Sequence, residues 1–285
     1  VDLLFSALHL IPIGPRPTSA LSQAHFAWNY TTWLDLLALT VAAFLAAVSK
    51  IAALAGLLVV IRAVAPLGAP VLTSIALVAA ASMTLGNIMA MRQNNVVRLL
   101  AWSTVAQAGW VVMPLATVSS AAVRASGAYL LAYVLATLLA FAVVSALVQI
   151  RGAVRARDLT GYRGLMRDHP VLGGALGLAL LSLAGLPPGV LGLVAKVTAL
   201  RPVVGSALWL LAVIAAANAV LGVAVYVRWL RALLAPPERG VDGAAAVVAR
   251  AVRVHPATLV AVGFAAVSLV LTSLSPQLIL GLMGS

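Results

Sequence analysis

The chain reads as an all-α polytopic membrane protein with about seven transmembrane helices, one of them broken at Pro187-Pro188. Three observations predict this fold class. The 285 residues are 64% hydrophobic and only 8% charged, with a mean hydropathy of +1.13; a soluble domain of that size needs far more charge to cover its surface. Apolar runs of bilayer-spanning length recur along the chain. The arginines fall into the gaps between those runs with a strong bias toward alternate gaps.

Taken in order, the runs lie near 36–61, 70–91, 99–119, 127–150, 170–198, 206–227 and 257–281. Residues 1–35 carry Pro12, Pro15 and Pro17 among polar residues and read as a loop or an imperfect membrane segment. The connections that precede the odd-numbered spans hold Arg16; Arg92 and Arg98; Arg151, Arg155, Arg157, Arg163 and Arg167; and Arg228, Arg231, Arg239, Arg250 and Arg253. The other side holds Arg62, Arg124 and Arg201. This asymmetry puts the arginine-rich loops in the cytoplasm and the C-terminus outside. A miscounted span would have scrambled it.

Composition also excludes several classes. The net charge is +12, but the arginines are dispersed between apolar runs and form no nucleic-acid-binding face. The sequence has no cysteine, so it offers no disulfide and no thiolate ligand. Its histidines at 9, 25, 169 and 255 have no metal-ligand spacing. No glutamate lies in a span, and Asp35 at the start of the first is the nearest acid. The opening on Val1 rather than methionine is expected of a piece of a longer protein.

The two lysines stand apart from the arginines. Lys50 and Lys196 are the only lysines in the chain, and both lie inside apolar runs. A lysine at mid-bilayer costs about 2.5–3.5 kcal/mol on insertion scales and therefore faces the bundle interior or water. Unlike arginine, it is a cation able to release its proton there. Lys50 sits in "AAFLAAVSKIAALAGLLVVIRAV", where the competing reading is a side chain that snorkels to a headgroup. Lys196 ends "SLAGLPPGVLGLVAK", eight residues past a double proline. The proline pair removes two backbone donors and interrupts the helix, and interrupted backbone at membrane depth lines cavities or is buried in protein. A simple kink with Lys196 near the outer surface is the alternative.

Intramembrane polar residues that fill part of the gap between the lysines are Asn87, Ser103, Thr104, Gln107, Ser182 and Asn218. Ser103 and Gln107 are four positions apart, which places them on one helix face. Such groups hold waters in a proton path, or act as interhelical glue. The tryptophans, Trp110 among them, read as interface or packing aromatics.

Four of these stretches resemble the antiporter-like subunits of respiratory complex I, and among them subunit N of bacterial NADH–quinone oxidoreductase. "FLAAVSKIAALAGLLVVIRAV" is similar to the helix that bears the family's central lysine, onto which Lys50 falls. "GNIMAMRQNNVVRLLAWSTVAQAGW" resembles the Gly-Asn, Gln-x-Asn-x-Lys-Arg-Leu-Leu-Ala-Tyr-Ser-Ser and His-x-Gly-Tyr signature. "AYLLAYVLATLLAFAVVSAL" resembles the next helix. The segment from Asp158 to Lys196 resembles the family's broken helix, with Lys196 in the place of its terminal lysine. With "ANAVLGVAVYVRWLRAL" the resemblance runs from about 36 to 235. It departs at Val97, where lysine is common, and at Gln107, where histidine is common.

The resemblance implies an antiporter-like half-channel fold, covering the C-terminal half of such a subunit. Residues 36–235 would form the six-helix domain, 236–256 a cytoplasmic loop and 257–285 the last helix. It implies a membrane-arm subunit of a proton-pumping NADH–quinone oxidoreductase in a bacterial inner membrane, beside other membrane subunits of the complex. Lys50 and Lys196 would transfer protons, with Ser103, Thr104, Gln107, Asn87, Ser182 and Asn218 in support. No cofactor is expected in this chain; NADH, FMN, iron–sulfur clusters and quinone belong to partner subunits. A cation/proton antiporter or membrane hydrogenase subunit shares the same pattern. So does a degenerate structural paralogue that does not pump, which the substitutions at Val97 and Gln107 would suit.

Overall fold

The computed structural model of the chain describes residues 49–236, 254–275 and 277. The expectations for 1–35, for the start of the first span and for most of the 236–256 loop lie outside the described residues. Eight helices of three turns or more organise the rest: α1 over 49–64, α2 Ala69–Met91, α3 Val96–Val112, α4 Ser120–Arg151, α5 Pro170–Ala184, α6 Val190–Gly205, α7 Trp209–Leu234 and α8 Pro256–Leu274. Among the described residues α2, α3 with its 3-10 extension to Thr117, α4, α7 and α8 are long and apolar enough to cross a bilayer. The chain is thus a helical, multi-pass membrane protein. Reaching seven spans requires counting α1 and the broken pair α5–α6 as well.

Local chemistry sets the helix ends. Asn95 begins α3 with its side-chain oxygen accepting from the Arg98 amide at 3.1 Å, and Ser119 does the same for α4 toward Ala122 at 3.0 Å. Prolines occupy the first turn of α2, α5 and α8, where the missing N–H costs nothing. α4 starts seven residues before the expected 127, because the Ser119 cap outweighs the charge of Arg124.

The expected long span 170–198 is two helices. α5 has 15 residues and α6 has 16; at 1.5 Å per residue each is roughly 23 Å long, short of the roughly 30 Å hydrocarbon core. Neither crosses alone. Their shared break runs through Gly185 in the left-handed region, with φ +78°, and the prolines 187 and 188. α6 continues through Pro202 to Gly205, so Lys196 lies mid-helix and buried, rather than near a span end.

α4 is the packing centre, set against α5, α6 and α8, while α7 lies on α2 and α5. α2 and α3 run antiparallel, with small residues Ala79, Gly86, Ala106 and Gly109 along their seam, the pattern by which membrane helices approach closely without a hydrophobic drive.

At one end of the bundle the arginine-bearing connections are stitched together. The Leu159 amide donates to Asn94 O at 2.9 Å and the Gly164 amide to Ala235 O at 2.9 Å. Arg151 donates to Gly161 O at 2.7 Å, Arg163 O at 2.8 Å and the Asp168 carboxylate at 2.9 Å. Arg228, on α7, donates to the carbonyls of Ala90, Met91 and Gln93 at and just past the end of α2, where helix carbonyls run out of intrahelical donors. Arg151→Met should loosen the 152–169 connection. Losing three partly buried, charge-assisted bonds is worth about 1–3 kcal/mol, read as a lower detergent melting temperature and earlier protease cleavage in that loop.

Candidate functional site

The broken helix builds the site. α5 ends at Ala184, leaving its last carbonyls without intrahelical donors and at the negative end of the helix dipole. Lys196, one and a half turns into α6, reaches back to them: its Nζ donates to Ala184 O at 2.5 Å and to Leu183 O at 3.2 Å. Trp110 of α3 presents its ring 5.9 Å from the same Nζ and stacks on Tyr129 at 5.7 Å between centroids. A cation held by two carbonyls and an aromatic face is well placed in an apolar interior.

On its other side Lys196 meets a small cavity lined by Gln107, Tyr129, Tyr133 and Ser182. Its free space is on the order of one water molecule. Ser182 Oγ is buried there and has no hydrogen-bond partner among the described residues.

A chain of hydrogen bonds leads away from the cavity. Tyr129 donates its hydroxyl proton to Gln107 Oε1. Gln107 Nε2 donates to the Tyr226 hydroxyl of α7 at 2.9 Å, and that hydroxyl shares a 2.5 Å bond with Ser103 Oγ. The shared face expected of Ser103 and Gln107 is realised on this one phenol. In a second branch the Tyr133 hydroxyl donates to Thr104 Oγ1 at 2.9 Å, and Thr104 donates to Leu100 O at 3.0 Å. Lys50 is half-buried, with its Nζ 5.3 Å over the ring of Tyr133.

Asn87 and Asn218 form a separate pair. Asn87 Nδ2 donates to Asn218 Oδ1 at 3.0 Å and to its carbonyl at 3.1 Å; Asn218 Nδ2 donates to Thr84 Oγ1 at 3.0 Å. Asn218 lies two turns from Tyr226 on α7, roughly 12 Å along the axis. This pair ties α2 to α7 and lies apart from the hydrogen-bonded chain at the cavity.

Sequence reasoning missed Tyr129, Tyr133 and Tyr226, and assigned Trp110 to packing alone. A signal existed for the first two: Tyr129, Tyr133 and Thr137 repeat at four-residue spacing, a polar stripe on an otherwise apolar helix. Among the described residues no group of three or more metal-ligating side chains is present.

Comparison with known proteins gives the family of the chain. The profile of the family described as "NADH:quinone oxidoreductase/Mrp antiporter, TM" matches residues 27–222. The chain belongs to that family. Within it, the NADH-quinone oxidoreductase subunit N of Salinispora tropica is 40% identical over 241 residues, 82% of this chain and 46% of that protein. Subunit N 1 of Solidesulfovibrio magneticus is 38% identical over 280 residues, 98% of this chain and 58% of its own length. The chain therefore spans about half the length of the curated relatives it matches. A chain in the structure of respiratory complex I from Thermus thermophilus is 34% identical with a TM-score of 0.55, over 75% of this chain and 45% of that one. One in the Mrp complex of a Dietzia species has a TM-score of 0.58 at 20% identity, over 75% of this chain and 46% of that one, a likeness of fold alone.

Proposed function

We propose that the chain is a proton-translocating membrane-arm subunit of a bacterial NADH–quinone oxidoreductase. It would sit in the inner membrane beside other membrane subunits, with the arginine-rich connections cytoplasmic and the C-terminus outside. NADH oxidation and quinone reduction take place in partner subunits, which carry FMN, the iron–sulfur clusters and quinone. Lys50 and Lys196 act by gaining and losing a proton. The observation that carries this reading is the seat of Lys196: an ammonium tethered to the carbonyl end of a broken helix, with a hydroxyl-lined cavity on its free side. In that position the Lys196 ammonium can pass a proton to a water in the cavity and recover one later, while Ser182, Tyr129 and Tyr133 hold that water. The subunit N relatives favour this reading over an antiporter or hydrogenase subunit.

The test uses membrane vesicles from cells carrying Lys50→Ala or Lys196→Ala, with quinone reduction and NADH-driven proton uptake measured together. Each variant should take up fewer protons per NADH oxidised. Unchanged uptake in both would remove this function and favour a subunit that packs in the membrane arm without pumping.

A further inference from the structure

Resting on that reading, we propose that Gln107 insulates the Lys196 cavity, closing its hydrogen-bonded connection toward α7. A group that relays protons must accept at one point, donate at another, and be able to reverse. Hydroxyls and carboxyls do so, but a carboxamide has a fixed acceptor end and a fixed donor end. Gln107 bridges the cavity to α7 in just that polarised way: Oε1 takes the Tyr129 proton in a hydrogen bond, and Nε2 gives its own to Tyr226. Turning the amide over exchanges the two ends but leaves one of each. Gln107 is 5% exposed, so its carboxamide is screened from bulk water. The other branch is closed as well, since the Tyr133 and Thr104 hydroxyls point in series to Leu100 O, which has no proton to pass on. In this arrangement a proton passed from Lys196 to the cavity is not handed on through Gln107 to Tyr226.

A carboxyl of the same shape restores the relay. It takes a proton on one oxygen and releases its own from the other, so charge and atoms balance at each hop. The experiment imposes a pH step, without NADH, on native membrane vesicles from cells carrying wild type, Gln107→Glu, Gln107→Met or Gln107→Glu with Lys196→Met. Quinone reductase activity is followed to confirm assembly. Gln107→Glu should raise passive proton entry roughly tenfold, equivalent to about 1.4 kcal/mol of barrier. Gln107→Met, of similar volume but unable to carry a proton, should leave entry low. If the glutamate is not incorporated, Gln107→His supplies a second protonatable side chain. Wild-type entry rates in every assembled protonatable variant would overturn the proposal, as would equal leaks through Glu and Met. In the double variant, a return to low entry places the leak on Lys196; a persisting leak keeps the insulation by Gln107 and removes Lys196 from the path.

Discussion

Gly192→Ala should disrupt the broken helix more than any other single methyl group. A Cβ at Gly192 would lie 1.7 Å from Ser182 O, and one at Gly189 would lie 2.3 Å from Ser182 N. Both obstacles are backbone, so no side chain can rotate aside and α6 itself must retreat from the end of α5. Overpacking of this kind costs about 1–3 kcal/mol and sometimes more. The displacement also draws Lys196 off the carbonyls of Leu183 and Ala184, so proton uptake falls even in the fraction that assembles. Gly174→Ala is the matched control, because nothing lies within 4 Å of its added methyl; it should be neutral or slightly stabilising, by up to about 1 kcal/mol. Melting in detergent, scored beside uptake per NADH, separates the two. Equal melting temperatures would mean that the two half-helices do not pack as described.

Lys196→Arg carries the second large effect, and it divides holding from transferring. A guanidinium keeps the charge, can donate to both carbonyls and can still lie on the Trp110 ring. It also binds its proton at least about a hundredfold more tightly than an amine does. Assembly and quinone reduction should therefore survive Lys196→Arg, with the contribution of this site to proton uptake lost. Lys196→Met should lose the same contribution while also leaving the carbonyls of Leu183 and Ala184 without a donor. If the arginine variant pumps like wild type, Lys196 serves as a fixed charge and not as a proton carrier.

Much of this architecture is visible in the sequence because it rests on local signals. Apolar runs give the membrane helices, and Pro187-Pro188 with Gly185 gives the break. Lys50 and Lys196 stand out since every other cation is an arginine. What local signals mislead on is extent: the apolar run ends near 198 with Arg201 counted in the next connection, yet α6 runs on to Gly205, which puts Lys196 in mid-helix. What they omit is partnership. Tyr226 matters because α7 lies beside α3 at the level of Ser103 and Gln107, a tertiary fact that no spacing along the chain encodes. The same holds for Asn87 and Asn218, which are 131 residues apart and bonded to each other.

α7 has a mechanical consequence. Arg228 grips the end of α2, Tyr226 holds α3 through two side chains, and Asn218 fastens α2 again two turns higher. Three rivets on one rod make α2, α3 and α7 a single lever. Any force that tilts α7 therefore carries Gln107 and Tyr226 together against Tyr129 of α4, so the bond between Tyr129 and the Gln107 carboxamide is the polar junction that such a motion would work.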